Sequence, residues 1–387
     1  MLLHNQLLHL PQRTPLLLLS RCKSTTTSNA FKKPNLRPSL PPPPAFAFDM
    51  DGVLIRGGKA VPGARRAIER LCGDNPQNRE MPFIVLTNSG GESEASKAAK
   101  LSKQLGIEIK GDQFIVSHTP MQALAQTALR SKLVHVVGPD AVKDVAKGYG
   151  FEKVVTTREI RAWDKRMWPY PVLGGDHDYH RHDPSFNLTT DPISAILIMH
   201  DPPDWGLDIQ IITDLLLSQN GHISTRRPLH HASLPADHPP FIPLYSSNAD
   251  FLWSNDYAFP RFGQGGFVAA LRGVWAPLMR DQPNGADREL PIAGQFGKPS
   301  AATYDFAKRV LARNSSNTKD AIGTVYMVGD NPASDIAGAN RHGWTGILVE
   351  TGVYKQGDVV VGDERPEVVV RDVEKAVEWV MRREGWM

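Results

Sequence analysis

Short apolar runs of strand length alternate along most of this 387-residue chain with amphipathic stretches of helix length. Ala45–Phe48 precedes a helical pattern over Gly63–Cys72, and Phe83–Leu86 precedes one over Glu92–Leu105. Further strand candidates are Leu133–Val137, Val154–Val155, Ile193–Met199, Phe241–Tyr245, Val325–Val328 and Gly346–Val349, with helices expected at Asp204–Ser218, Ser300–Ala312 and Pro332–His342. Parallel strands need a long crossover, usually a helix, so this alternation predicts an α/β fold around a mostly parallel, Rossmann-like sheet. Two Pro-, Gly- and His-rich stretches, Trp168–Pro192 and Arg227–Pro240, break the pattern and read as long loops. Both lie mid-chain, so the middle reads as an inserted second domain and the two ends as the first.

Several of the strands end in residues that do chemistry. Phe46-Ala47-Phe48 runs into Asp49-Met50-Asp51-Gly52. Residues i and i+2 of an extended chain face one side, so both carboxylates can point to one site beyond the strand's carboxyl end. Phe83–Leu86 runs into Thr87-Asn88-Ser89-Gly90-Gly91, hydroxyl, amide and backbone N–H groups that suit a phosphoryl oxygen. Gly297-Lys298-Pro299-Ser300 places a lysine at a helix start. Val325–Val328 runs into Gly329-Asp330, with Asp335 five residues on; carboxylates are the ligands Mg²⁺ prefers. Each motif alone has a plainer explanation: an Asp-Gly turn, a helix N-cap at Ser89 or Ser93, a solvated lysine, or an acid in a helix's first turn. It is their conjunction, in this order, that argues for a site.

The ordered set Asp-x-Asp-Gly, Thr-Asn, Gly-Lys-Pro and Gly-Asp-x₄-Asp resembles the haloacid dehalogenase (HAD) superfamily. The long gap between Asn88 and Lys298 resembles its class IIA, in which an α/β cap is inserted there. The segments Asp201–Asp208 and Pro260–Gly265 further resemble the cat-eye-syndrome critical region protein subfamily, whose members are mitochondrial or predicted to be so. The resemblance implies a core in two parts, 45–116 and 263–387, around a cap at 117–262. It also implies an Mg²⁺-dependent phosphatase acting on a small phosphorylated metabolite. Asp49 would attack phosphorus to give an aspartyl-phosphate, and Asp51 would protonate the leaving oxygen and then activate water. Asp49, the Asp51 carbonyl and Asp330 would hold the metal, with Asp335 at the metal site orienting a bound water or Lys298. Thr87 and Asn88 would hold phosphoryl oxygens, and Lys298 would neutralise charge. Cap residues Asn248, Asp250 and Arg261 are substrate-binding candidates. Ser89 stands where many class IIA enzymes have a second Asn, which implies a modest change in site shape. A phosphotransferase passing the group to an alcohol, or a silent phosphate-binding scaffold, are the alternatives; phospholipid-precursor metabolism is one conceivable setting.

Composition narrows the setting. Of 44 Lys and Arg that face 41 Asp and Glu, six lie in residues 1–48, where there is no acid, so the rest is mildly acidic. No basic stripe argues for nucleic acid. The acid-free start, rich in Ser, Thr and Leu and closed by Pro41–Pro44, fits a mitochondrial presequence and Pro-rich linker over 1–44, and hence the matrix. No apolar run reaches the ~18 residues of a membrane-spanning helix. Two cysteines exclude a disulfide framework or Cys-rich zinc site. His177, His180 and His182 lie among aspartates in a spacing that matches no defined zinc pattern, and a solvated loop is the simpler reading.

Overall fold

Ala45–Phe48 runs through a six-stranded sheet of order Val368–Val370, Thr345–Val349, Val325–Gly329, Ala45–Phe48, Phe83–Leu86 and Phe114–Ile115, every neighbouring pair parallel. The computed structural model describes residues 42–172, 183–227, 241–253, 255, 257, 259–280, 289–315 and 322–387. Residues 1–41 of the acid-free start and the three histidines of the His-rich loop therefore lie outside the described residues. Alternation along Ala45–Phe48 sends its side chains to two different cores. Phe46 and Phe48 stack at 5.6 Å and join Ile68, Leu101, Val328 and Val377 on one face. Ala45 and Ala47 face Ile84, Met327 and, from helix Ala301–Ser315, Tyr304 and Ala307. All four strand residues are fully buried, as a parallel strand covered on both faces requires.

A second sheet comes from the middle of the chain, as expected for an inserted α/β cap. Its order is Ile292–Gln295, Leu244–Ser246, Ile193–Ile198, Leu133–Val137 and Lys153–Thr156, again all parallel. The expected boundary at 262 is too early. Helix Gln264–Leu278 packs Phe267, Leu271 and Trp275 into one cluster with Ile198, Ile211 and Leu215, and Ile292–Gln295 is the edge strand of this second sheet. That strand reads Ile-Ala-Gly-Gln and no residue of it is buried, so no apolar run betrays it. Among the described residues no helix is long and apolar enough to cross a membrane.

Candidate active site

Three neighbouring strands of the first sheet end side by side. Asp49 follows Phe48, Thr87 follows Leu86, and Asp330 follows Gly329. Ligands of open parallel sheets bind at these carboxyl ends. Lys298 enters from the turn ahead of helix Ala301–Ser315, and Asp335 from the Pro332–Ile336 turn of π-helix.

Lys298 is the hub. It is 2% exposed, and its Nζ lies 2.6 Å from Asp49 Oδ1 and 2.6 Å from Asp335 Oδ1. Burial pulls the Lys298 pKa down, but Asp335 and Asp49 outweigh it and keep the ammonium charged. Asp335 Oδ2 accepts the backbone N–H groups of Asp330 and Asn331, both at 3.0 Å. Both Asp335 oxygens are thus engaged, which makes it the residue that fixes Lys298 and the Asp330 backbone. Asp330 Oδ2 accepts the Val353 N–H at 2.6 Å. Gly52 and Gly352 make room for it: a Cβ would lie 2.4 Å and 1.8 Å from that oxygen, and Gly52 has φ of 87°.

Carboxylate oxygens of Asp49, Asp330 and Asp335 lie within 4.8 Å of one another. Burial raises the pKa of all three; Lys298 offsets part of this at Asp49 and Asp335, whereas Asp49 and Asp335 add to it at Asp330. One lysine facing three buried carboxylates leaves a charge deficit. Asp49 and Asp330 each keep one oxygen outside the bonds described above, so the donor set fits a hard divalent cation. A consequence follows for stability. Carboxylates whose folded pKa exceeds the ordinary value near 4 cost nothing when protonated in both states, and destabilise increasingly as pH rises above that value. Metal-free protein should therefore lose stability between about pH 4 and pH 7. Millimolar Mg²⁺ should raise the Tm by several degrees at pH 7 and by less at pH 5, read by thermal unfolding with and without chelator.

Asp51 is partly buried and lines the same cavity, of about 360 Å³. Burial raises its pKa, with Lys97 and then Lys298 pulling it back, so it holds a proton to higher pH than an ordinary aspartate. Thr87 Oγ1 accepts the Ser89 N–H at 3.0 Å and has its own proton to donate.

Asn88 departs from expectation. Its Oδ1 accepts the Lys298 N–H at 2.7 Å, while Nδ2 donates to the Lys298 carbonyl at 3.0 Å and to Asp250 Oδ2 at 2.9 Å. With its amide so committed, Asn88 clasps the lysine segment to the cap rather than offering that amide to a phosphoryl oxygen. Asn248 and Asp250 do reach the cavity, and Asn248 Nδ2 donates to the Asn88 carbonyl at 3.2 Å. Burial pushes Asp250 up to about 6. Their loop is braced by buried Gln264, whose Oε1 accepts from Ser246 Oγ and from the Ser247 and Asn248 N–H groups. Arg261 is a correction: it is exposed on the short hairpin Leu252–Trp253/Arg261–Phe262, lies over the Tyr257 ring, and does not line the cavity.

Among the lining residues that sequence reasoning missed are Lys97 and His200. A signal existed for one of them. Lys97, Lys100, Leu101 and Gln104 all line the cavity, and their spacing of i, i+3, i+4 and i+7 marks one face of helix Glu94–Leu105.

Residues 46–152 match the haloacid dehalogenase-like hydrolase family, and residues 295–376 the HAD-hydrolase-like family. A mitochondrial hydrolase of Saccharomyces cerevisiae is 38% identical over 356 residues, covering 86% of this chain and 94% of its own length. A Schizosaccharomyces pombe fusion of cardiolipin synthase (CMP-forming) with a mitochondrial hydrolase is 36% identical over 348 residues, 87% of this chain; this chain spans 53% of the fusion. Among solved structures, a hypothetical protein from Pyrococcus horikoshii has a TM-score of 0.57 at 21% identity, covering 87% of this chain and 99% of that one. Glycerol phosphate phosphatase of Mycobacterium tuberculosis in complex with magnesium has a TM-score of 0.52 at 19% identity, covering 85% and 75%. The two structural likenesses are likenesses of fold.

Proposed function

This chain belongs to the haloacid dehalogenase-like hydrolases, class IIA, and from that premise we propose that it hydrolyses a small phosphate ester in mitochondria with Mg²⁺ and an aspartyl-phosphate on Asp49. The observation that carries the reading is Lys298 fixed between Asp49 and Asp335, with Asp51 two residues beyond the nucleophile. We further infer that the chain falls in the cat-eye-syndrome critical region protein subfamily, on its Asp201–Asp208 and Pro260–Gly265 segments. The mitochondrial setting is supported by one relative that is a mitochondrial hydrolase, by a second that is a fusion containing one, and by the acid-free start; the matrix is the compartment we infer.

Asp49 and Asp330 would hold Mg²⁺, which when bound withdraws charge from the phosphoryl oxygens. Asp49 forms a bond to phosphorus as the ester oxygen leaves, and that oxygen takes the proton held by Asp51. The raised pKa of Asp51 suits this donation. Lys298 holds Asp49 Oδ1 and, with the Thr87 hydroxyl, balances charge that develops on the phosphoryl group. Asp51, now ionised, takes a proton from water; the water oxygen bonds to phosphorus, the Asp49–phosphorus bond breaks, and phosphate departs. Cap residue Asp250, hydrogen-bonded to Asn88, lines the same cavity.

Protein lacking the first 44 residues should release phosphate from an aryl phosphate with Mg²⁺ and lose that release on chelation. Metal-independent release, or none over a broad ester panel, would contradict the reading. An alcohol phosphorylated in place of water would redirect it to phosphotransfer.

A further inference from the structure

The scheme above leaves two cations of the cavity, Lys97 and Lys100, without a task. Lys97 lies in the second turn of helix Glu94–Leu105, which starts at Ser93, whose side chain accepts the Ser96 N–H. It lines the cavity, and its Nζ donates to Ser89 Oγ at 2.7 Å. A hydroxyl is a neutral partner. Among the described residues Lys97 forms no ion pair, whereas Lys100, one turn on, is bound to Glu92. Burial accordingly lowers the Lys97 pKa, with Asp51 and then Glu92 opposing it from a distance and Lys100 adding to it. A half-buried ammonium without a direct counter-charge is costly to keep unless a ligand supplies one.

Its position says where that counter-charge belongs. The phosphoryl group is taken up between Lys298, Thr87 and Asp49, on the proposed function. The leaving oxygen then lies at Asp51, which lines the same cavity as Lys97. Whatever the ester oxygen carries extends past Asp51 within that cavity, whose lining includes Lys97 and the cap residues His200, Leu252 and Trp253. His200 is half-buried and held neutral, its pKa pushed down to about 4 by burial and then by Lys97, so it adds no competing charge.

We propose that Lys97 is a specificity-determining residue, and that the natural substrate is a small phosphate ester whose leaving group carries its own anionic group, a carboxylate or a second phosphate, bound by Lys97 Nζ. This rests on the phosphatase reading given above. Selection of the leaving group then comes in part from the core helix, not from the cap alone.

Four esters of nearly equal size separate the possibilities: phosphoglycolate, ethane-1,2-diol bisphosphate, 2-hydroxyethyl phosphate and phosphoethanolamine. With Mg²⁺ and the full chain, kcat/KM should favour at least one of the two anionic esters over the neutral one by about tenfold, as a charge-assisted contact allows, and the cationic one should be worst. Whichever anionic ester wins identifies the group. K97M should collapse the anionic-to-neutral ratio towards one, chiefly through KM, and K97R should preserve it. A wild-type enzyme that treats neutral and anionic esters alike, or a ratio unmoved in K97M, overturns the proposal and leaves Lys97 as a brace for Ser89. In either case turnover of an aryl phosphate would show the phosphatase reading intact; absence of Mg²⁺-dependent turnover on every ester, aryl phosphate included, would remove both.

Discussion

Asp49→Asn protein should fold and lose Mg²⁺-dependent phosphate release by at least about a thousandfold, the scale on which removal of a covalent nucleophile acts. The substitution keeps the shape of a residue that is nearly sealed into the structure. Lys298 retains Asp335, so the lysine is not orphaned. Because burial and Asp51 both raise the Asp49 pKa, neutralising that side chain relieves crowding among the carboxylates. The metal-free Tm of the variant should therefore equal or exceed that of the parent near pH 7, while the Mg²⁺-induced rise in Tm shrinks. Loss of activity with a preserved fold and a weakened metal response separates a chemical role from a structural one. Activity within tenfold of the parent would remove Asp49 as nucleophile.

Lys298→Met should fail in both respects. Methionine fills a similar volume but leaves Asp49 and Asp335 buried without their shared cation. Breaking a buried pair in this way typically costs about 3–5 kcal/mol, and here one lysine serves two acids. The sign with pH is fixed by the carboxylates. Their folded pKa rises further once the ammonium is gone, so the penalty is small where both folded and unfolded chains are protonated, near pH 4, and grows as pH approaches 7. Urea unfolding at pH 5 and pH 7 should show the larger stability loss at pH 7, together with loss of turnover. An equal loss at both pH values would mean that Lys298 acts through packing rather than charge.

Much of this arrangement was legible in the sequence, and the physical reason is the sheet. Strands buried on both faces read as unbroken apolar runs, and the site residues are the first polar residues after them. Asp49, Thr87 and Asp330 could be placed for that reason. Lys298 was harder, because a lysine before a helix is ordinarily a surface residue; only the fold shows it sealed between two aspartates. The Asn88 amide could be read as a phosphate donor until its three bonds to Lys298 and Asp250 were seen. Arg261 had the right charge in the right segment, but the hairpin it belongs to turns it outward. The strand Ile292–Gln295 carries a glycine and a glutamine at a half-exposed edge, so hydrophobic patterning could not report it or the later end of the inserted region.

The covalent step offers the most direct test of the account. Protein mixed with a phosphate ester and Mg²⁺, quenched in acid within one turnover and digested at low pH, should yield the peptide spanning Asp49 with the mass of one added phosphoryl group, fragmenting to place it on Asp49. The adduct should be labile to hydroxylamine and absent both without Mg²⁺ and in Asp49→Asn protein. Rapid phosphate release with no phosphorylated peptide at any quench time, or with the phosphoryl group on another residue, would contradict it.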